Sequence, residues 1–514
     1  MRELRNNLWL HSLLVIVAGL LNTLAFAPYQ WYWLPLLTLM VLSVLLSQAR
    51  SPRVAAWLGF CYGIGWFGLG ISWVHVSIAT FGGMPLVASL AIMVLLVLYL
   101  SLFPALASYA AVRLAKTHYA LFPLMFASCW VLAEYLRSWF LTGFPWLSLG
   151  YSQTEGYLAP YAPLIGETGI TFLLAIAAAS IVPLLHKQWI AASWIWPVLL
   201  VSPLLSVWHG WQVSGEKVKV ALVQGNIAQS LRWEPEQELP TMTKYLRLTK
   251  PHFDKQLIIW PEAAIPQIEP LAQAYLINLD MQAAEHNTAV ITGILDYRRN
   301  GDAYNGIIVL GKQQASETSG DYHYQTKNRY QKHHLLPIGE FVPFEAWLRD
   351  VAPFFDLPNS SFSRGERVQP NLQANGFSLL AALCFEIVFP RQVRANFTAD
   401  TDFLLTISND AWFGDSIGPH QHMQIAQMRA LEFGRPLLRA TNTGVTGIVK
   451  ADGSMQAVLP QFEDAVLTAE VELSTGETLY SKMGDTALLS FAALFLLFSQ
   501  VWLKLFSKIR KSVL

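Results

Sequence analysis

A lone cysteine stands near the end of an apolar, strand-forming run. The run Phe377–Pro390 (FSLLAALCFEIVFP) contains Cys384, with Glu386 two positions further on. Reactive groups at the carboxyl ends of buried strands are typical of α/β enzymes. A free cysteine in a strand, taken alone, is more often an inert core residue. The run is therefore compatible with two hypotheses, a nucleophile and a packing residue.

Two more polar residues could act on a carbonyl group together with Cys384. Glu262 follows the strand-like residues LIIW in LIIWPEAAIP, and Lys332 lies in YQKHHLLPIGEFVP. A thiol with a pKa of about 8.5 is mostly protonated at neutral pH, and a desolvated Glu262 could serve as its base. Lys332 could stabilise the oxyanion that forms when the thiolate attacks. Either Glu340 or Glu386 could hold Lys332 in place.

The segments around these residues alternate between strands and helices from Val218 onward. Helices are predicted at 235–250, at 271–286 and in HQHMQIAQMRALEFGRPLL. TGIVKADGSMQAVL is predicted to be a hairpin with Asp-Gly at its turn. This alternation predicts an α/β domain over 216–478, with helices covering the faces of a sheet. Strands are predicted in KVKVALVQGNI, TAVITGILDY, AYNGIIVL and FLLTISNDAW, in QLIIWPEAAIP together with a loop, and in the run FSLLAALCFEIVFP up to its cysteine.

The rest of the chain is apolar enough for a membrane. A chain of 514 residues needs more than one structural unit, and its apolar residues concentrate before 210 and after 484. A spanning helix needs about 20 mostly apolar residues. We therefore expect a membrane α-helical bundle, with seven spans in 1–210 and an eighth at 484–506. The third and fourth spans could be broken or tilted helices, because Gly63, Gly65, Gly68 and Gly70 lie in one of them. The first seven spans are predicted at 9–27, 32–48, 54–79, 85–113, 119–138, 163–185 and 189–208.

Basic residues in the short loops predict the orientation of this bundle. The loops rich in Lys and Arg all fall on one side by parity, and that side is normally cytoplasmic. Both termini are thus expected in the cytoplasm and the α/β domain in the periplasm. Cys384 would then be the only cysteine of the exported domain, without a partner for a disulfide. The orienting residues are Arg2, Arg5, Arg50, Arg53, Arg113, Lys116, Lys187, Lys504, Lys508, Arg510 and Lys511.

The first predicted span ends in a sequence that resembles a signal-peptidase site. Ala25, Phe26 and Ala27 have the required pattern of small residues. Pro28 follows directly, however, and another apolar span begins almost at once. We expect the span to be retained as an anchor.

A loop on the exported side is too apolar for ordinary exposure to solvent. Residues 142–153, TGFPWLSLGYSQ, contain Pro145 and Trp146. The loop could seal the helix bundle as an interfacial segment. Alternatively it could line a cleft for lipid, in which case Trp146 would contact the substrate.

The sequence predicts no metal or organic cofactor. His333, His334, His420 and His422 lack a carboxylate or thiol at a spacing that would complete a metal site, and no His–Cys pairing pattern is evident. There is no glycine-rich phosphate loop. The formal net charge of zero gives no reason to expect nucleic acid as a partner.

Glu262, Lys332 and Cys384, in this order and local context, resemble the catalytic set of the nitrilase superfamily. Placed between seven spans and one span, such a domain resembles the bacterial apolipoprotein N-acyltransferases over essentially the whole chain. The motifs that carry this resemblance are FPWLSLGY, VQGNIAQSLRW, WPEAAIP, HLLPIGEFVP, SNDAWFG and RATNTG.

The resemblance implies roles for individual residues. Cys384 would be the nucleophile, Glu262 the general base and Lys332 the group that stabilises the transition state. It also implies an αββα sandwich for the exported domain. The further residues are Glu340 as a second essential carboxylate, Glu386 as a support beside the nucleophile, Trp233 and Trp412 on loops at the substrate entrance, and Phe385 where the family commonly has tyrosine.

The implied reaction is acyl transfer in the bacterial inner membrane. A phospholipid would donate a fatty acyl group to Cys384, and the α-amine of diacylglyceryl-cysteine on an apolipoprotein would accept it from the thioester. A monomer is expected. Two alternatives are a membrane-bound amidase of the nitrilase type and an inactive scaffold or transporter with a sensing domain.

Overall fold

The fold is described from a computed structural model of the chain. It describes residues 7–81, 83–115, 118–193, 195–205, 207, 209–232, 234–337, 339–341 and 362–513, with side chains up to 503. Trp233 and the orienting residues Arg2, Arg5 and Lys116 lie outside these ranges. The chain forms two compact units: 1–75, 86–209 and 478–514 make up the first, and 76–85 and 210–477 the second.

Helices dominate the first unit, while strands and helices alternate in the second. The described helices are Leu8–Asn22 (α1), Leu34–Ser47 (α2), Pro52–Gly70 (α3), Val74–Val76 (α4), Leu86–Ala115 (α5), Phe122–Arg137 (α6), Ala162–Ala179 (α7), Ile181–Leu185 (α8), Trp189–Ser193 (α9), Trp196–Leu205 (α10), Pro235–Thr249 (α11), Gln273–Glu285 (α12), Pro390–Asn396 (α13), Gly418–Phe433 (α14), Leu479–Met483 (α15) and Thr486–Val513 (α16).

Four helical stretches among the described residues are long and apolar enough to cross a membrane. They are Leu8–Ala25, Leu86–Ala115, Ala159–Leu185 and Thr486–Leu503. A fifth is counted if Pro52–Gly70 and Val74–Thr80, which are bent by 56°, form one span. This pair lies in the third predicted span, whereas the fourth is the continuous helix Leu86–Ala115.

The remaining predicted spans are helical but shorter. Leu34–Ser47 has 14 residues, which rise about 21 Å at 1.5 Å per residue, less than a bilayer core of about 30 Å. Phe122–Arg137 has 16 residues. The number of eight spans therefore remains a prediction.

Helices α1 and α3 pack backbone against backbone. A Cβ atom on Gly65 would clash with the carbonyl oxygen of Ile16, and one on Gly19 would clash with that of Tyr62. Small residues at such a contact are typical of helix pairs in membranes.

The second unit contains two six-stranded sheets. Sheet one has the order β12-β1-β2-β3-β4-β5, and sheet two has the order β11-β10-β9-β8-β7-β6. Strands β1, β2 and β3 run parallel, as do β7, β8 and β9. The strands are Trp211–Gln224 (β1), Leu257–Ile259 (β2), Ala289–Tyr297 (β3), Ala303–Gly311 (β4), Arg329–Gln331 (β5), Leu372–Ala374 (β6), Phe377–Leu383 (β7), Phe403–Ser408 (β8), Leu437–Thr441 (β9), Gly447–Val449 (β10), Met455–Val458 (β11) and Ala465–Gly476 (β12).

The main hydrophobic core lies between the two sheets. Leu222 and Ile259 of sheet one share this core with Leu379 and Leu405 of sheet two. Alternate residues of sheet one, such as Val223, face a second core formed with α11 and α12. Helix α14 packs on β8 and β9. The predicted α/β domain with helices outside paired sheets is confirmed, including the hairpin of β10 and β11.

Candidate active site

Cys384 follows strand β7 in a strained backbone conformation. Its φ is +54°, a left-handed conformation that is uncommon for a residue with a side chain. The residue opens a 3₁₀ turn, Cys384–Val388, and its side chain is partly exposed. Such strain persists only where surrounding contacts hold the backbone, and it is concentrated at functional sites.

Glu262 lies just beyond the end of β2 and is held at both carboxylate oxygens. Oε1 accepts a hydrogen bond from Asn305 Nδ2 at 2.8 Å, and Oε2 accepts one from the backbone N–H of Asn409 at 2.9 Å. Arg232 donates to its backbone carbonyl at 2.7 Å. Gly293 of β3 permits this placement, because a Cβ there would lie 2.8 Å from the Cα of Glu262.

Lys332 lies one residue after β5 with its ammonium group between two carboxylates. Nζ is 2.8 Å from Oε1 of Glu340 and 3.7 Å from Oε1 of Glu262. Burial alone would lower the pKa of Lys332, but Glu340 and Glu262 raise it above its ordinary value. The group is therefore a permanent cation in a buried site.

Asn305 of β4 connects these charged groups, although the sequence analysis does not single it out. Its amide nitrogen donates to both Glu262 and Glu340, at 2.8 and 2.9 Å. Its backbone carbonyl accepts a hydrogen bond from the N–H of Lys332. Asn305 thus fixes the spacing between the two carboxylates and the lysine.

The sequence left open whether Glu340 or Glu386 holds Lys332 in place. Among the described residues Lys332 forms an ion pair with Glu340, and none with Glu386. The Glu386 carboxylate is fully buried and accepts five hydrogen bonds at 2.7 to 2.9 Å. One donor is the backbone N–H of Leu383, directly before the cysteine. Glu386 therefore holds the turn after β7. The other donors are Tyr330 Oη, Gln392 Nε2 and the N–H groups of His333 and His334.

The Cys384 side chain is a thiol rather than a thiolate. Burial raises the pKa of Cys384, the charge of Glu262 raises it further, and Lys332 acts in the opposite direction. A thiolate is therefore formed only when a base removes the proton during attack.

The aromatic residues predicted to contact substrate have different surroundings. Trp412 lies in the turn after β8, half-buried, and its carbonyl accepts a hydrogen bond from Ser77 at 2.7 Å. Trp146 is fully buried in the first unit, with its ring 5.2 Å from that of Trp73. That environment is one of packing, so a substrate contact by Trp146 stays a prediction. Trp233 is outside the described residues.

Phe385 points into an aromatic cluster. It is buried, and its ring lies edge-on to Phe389 at 5.1 Å and 6.0 Å from His334. The side chain at this position, within the turn that begins at Cys384, therefore packs against Phe389 and His334.

Four buried polar residues near Cys384 were missed by the sequence analysis. Ser408 and Asp410 belong to the SNDAWFG motif, which directly follows an apolar strand, and Arg439 belongs to RATNTG. The positions of Ser408 and Asp410 at the end of a strand were the available signal, whereas Arg439 lies in the middle of β9. His422 was considered only as a metal ligand, whereas its ring nitrogen contacts the Cys384 carbonyl at 3.1 Å.

Known proteins resemble this chain in both of its parts. A model of the carbon-nitrogen hydrolases matches residues 219–480, and a model of the apolipoprotein N-acyltransferase N-terminal domain matches residues 18–180. Among solved structures, a carbon-nitrogen hydrolase from Helicobacter pylori G27 aligns with 50% of this chain and 90% of its own, with 16% identity and a TM-score of 0.36.

Curated relatives extend the similarity to nearly the full length. The apolipoprotein N-acyltransferase of Shewanella oneidensis is 48% identical over 488 residues, which is 93% of each chain. That of Vibrio vulnificus is 49% identical over 481 residues, or 93% of this chain and 94% of its own. The protein therefore belongs to the apolipoprotein N-acyltransferase family.

Proposed function

We propose that this protein moves a fatty acyl group from a membrane phospholipid, through a thioester on Cys384, to the α-amine of diacylglyceryl-cysteine on apolipoproteins. The observation that carries the proposal is the buried Lys332 ammonium group between Glu262 and Glu340, in a site that raises the pKa of Cys384. Such a site has the base, the nucleophile and the fixed cation that acyl transfer requires.

In the first half-reaction, the Cys384 thiol gives its proton to Glu262 while Sγ bonds to the ester carbonyl carbon. The ester oxygen becomes an oxyanion, which Lys332 stabilises. When this intermediate collapses, the carbon–oxygen bond to the lysophospholipid breaks, and the departing oxygen takes the proton from Glu262. The acyl group remains on Sγ as a thioester.

In the second half-reaction, the α-amine of the lipoprotein attacks the thioester carbonyl. Glu262 accepts a proton from the amine, the carbon–sulfur bond breaks, and the proton returns to Sγ. The products are an amide and free Cys384. Because both substrates use the same carbonyl site in turn, ping-pong kinetics are expected.

The substrates explain why a cysteine hydrolase fold would be joined to an apolar helical unit. Moving an acyl chain of about fifteen methylenes into water would cost roughly 12 kcal/mol at about 0.8 kcal/mol per CH₂. We place the protein in the bacterial inner membrane with eight spans, both termini in the cytoplasm and the catalytic domain, 216–478, in the periplasm. The apolar helices of the first unit and the basic loops support this placement.

The proposal is tested by steady-state transfer with purified full-length protein in detergent. A phospholipid with a labelled acyl chain is the donor, and a diacylglyceryl lipopeptide with a free α-amine is the acceptor. Parallel lines in double-reciprocal plots and label on the lipopeptide are expected. Release of free fatty acid at the same rate without lipopeptide would favour hydrolysis, and thus an amidase-like enzyme. An N-acetylated lipopeptide is the matched control and should accept no label.

Lys332→Met should lower the rate of thioester formation by about 10²–10³-fold, because it removes the cation that faces the oxyanion. Lys312→Met is a matched control in the same unit. Lys312 is also buried, but its ammonium group donates to Asn287 and to the Ala315 carbonyl instead of catalytic carboxylates. Single-turnover acylation and thermal unfolding of both variants separate the loss of the cation at the oxyanion from the loss of stability that removing any buried lysine causes. If Lys312→Met slowed acylation as much as Lys332→Met, the loss would reflect general damage to the fold.

A further inference from the structure

A buried polar network joins Cys384 to elements that the proposed reaction does not use. Ser408 ends β8, Asp410 lies in the turn that follows, His422 is on α14 and Arg439 is on β9. All four side chains are buried. Their contacts converge on the backbone and the sulfur of Cys384.

Arg439 determines which ring nitrogen of His422 carries the proton. Its Nη2 lies 2.9 Å from Nδ1 of His422 and donates to Oδ2 of Asp410 at 2.7 Å. A guanidinium group only donates hydrogen bonds, so Nδ1 must accept and the proton must be on Nε2. That nitrogen is 3.1 Å from the carbonyl oxygen of Cys384, to which it donates.

A doubly protonated His422 is the alternative, since Nδ1 is also 3.2 Å from Oδ1 of Asp410. In that state the N–H on Nδ1 would point at the N–H groups of Arg439, so two hydrogen-bond donors would face each other in a buried site. Burial lowers the pKa of His422, and Arg439 lowers it further, whereas Asp410 acts to raise it. The neutral ring with its proton on Nε2 satisfies Arg439 and the Cys384 carbonyl, while Oδ1 of Asp410 accepts its hydrogen bond from the Ser408 hydroxyl.

The hydrogen bond from His422 acts where the backbone of Cys384 is strained. The left-handed φ of +54° is held on one side by the Leu383 N–H, which donates to Glu386 at 2.9 Å. On the other side it is held by His422 at the Cys384 carbonyl. Without this second contact, φ of Cys384 can relax toward an ordinary value. This rotation about the N–Cα bond would move both the carbonyl group and Sγ.

Ser408 places the sulfur itself. Its hydroxyl lies 3.2 Å from Sγ of Cys384 and 2.5 Å from Oδ1 of Asp410. A hydroxyl donates only one proton, so Ser408 either donates it to Asp410 and accepts a hydrogen bond from the Cys384 thiol, or donates it to the sulfur. Backbone and sulfur are thus held by one connected group of residues.

We propose that His422, oriented by Arg439 and Asp410, is a positioning residue that keeps Cys384 in its left-handed conformation and so aims the sulfur at the acyl donor. That the sulfur is directed at an acyl donor rests on the proposed function, whereas the effect of His422 on the conformation of Cys384 does not. Displacement of a reacting group by about 1 Å can slow a reaction about 10²-fold.

The test compares His422→Leu, which removes the donor, with His422→Gln, whose side-chain amide can again donate to the Cys384 carbonyl. His420→Leu, on the same helix and half-buried, is the matched control. Thermal unfolding checks the fold of each. Single-turnover acylation by phospholipid should fall roughly 10²-fold in His422→Leu with unchanged KM, and return to within about tenfold of wild type in His422→Gln.

Alkylation of Cys384 by iodoacetamide is measured in parallel, because it needs no lipid. Its rate should differ from wild type by more than about tenfold in His422→Leu and be close to wild type in both other variants. If wild type never becomes acylated, the proposed function fails, yet the alkylation rates still decide the positioning role. Equal alkylation of wild type and His422→Leu, or a folded His422→Gln that remains as impaired as His422→Leu, would overturn it.

Discussion

Cys384→Ala is expected to abolish acyl transfer, with a loss of at least about 10⁴-fold, because the sulfur forms the covalent bond to the acyl group. Its position after β7, with strained backbone and a buried lysine nearby, favours the proposed role as nucleophile over that of a packing residue. The measurement is transfer of labelled acyl chain to the lipopeptide. The fold should be intact, because alanine keeps the backbone and removes one atom of a partly exposed side chain.

Cys61→Ala and Cys129→Ala are the matched controls. Both cysteines are buried in helices of the first unit, α3 and α6. Each variant loses a buried thiol of the same size, so some loss of stability and full activity per folded molecule are expected. A Cys384→Ala protein that kept even a hundredth of wild-type activity would rule out the thioester route.

Glu262→Gln is expected to change two rates in opposite directions. Acylation of Cys384 by phospholipid should fall about 10²–10⁴-fold, because the amide cannot accept the thiol proton. Alkylation by iodoacetamide depends on the fraction of thiolate, and the Glu262 charge helps to raise the pKa of Cys384. Removing that charge lowers this pKa, so alkylation at a fixed pH should be at least as fast as in wild type and up to about tenfold faster.

Glu269→Gln is the control for this experiment. Glu269 is a fully buried carboxylate of the same unit whose partner is Arg329, which it binds through both oxygens at 2.8 and 2.9 Å. Its loss should lower stability and leave both reactions of Cys384 unchanged. A parallel fall of acylation and alkylation in Glu262→Gln would mean that Glu262 maintains the shape of the site instead of acting as the base.

Most central strands and the positions of Glu262 and Cys384 could be predicted because their signals are local, whereas β5, β6, β9 and β12 were not predicted, and the predicted helix through Leu438 ends at Phe433. Glu262 and Cys384 each follow an apolar run within a few residues, after β2 and after β7, whereas Lys332 follows the polar strand β5 and is marked only by the motif that contains it. The carboxyl ends of strands bring such residues together, so the sheet domain and the site follow from the same patterns.

The partner of Lys332 could not be predicted from the sequence. Glu340 and Glu386 are both plausible by type, and the choice depends on how the chain after β5 folds back, so that Glu340 reaches Nζ at 2.8 Å. Glu386 is instead committed to the N–H of Leu383 and four other donors. Only the three-dimensional arrangement decides between them.

Contacts over long sequence separations account for most of what was missed. Asn305 reaches Glu262 across 43 positions, and His422 reaches Cys384 across 38. No spacing pattern marks such pairs, because strand order and not sequence order makes them neighbours. The same holds for Trp146, whose burial against Trp73 depends on how the helices pack.

The most direct test is mass spectrometry of the protein purified from its own membranes, with Cys384→Ala as reference. The account predicts that wild type carries one fatty acyl group on the peptide containing Cys384, that hydroxylamine removes it, and that the variant lacks it. Incubation with phospholipid should increase the acylated fraction, and incubation with diacylglyceryl lipopeptide should reduce it. A Cys384 that stays unmodified after incubation with phospholipid would contradict the account.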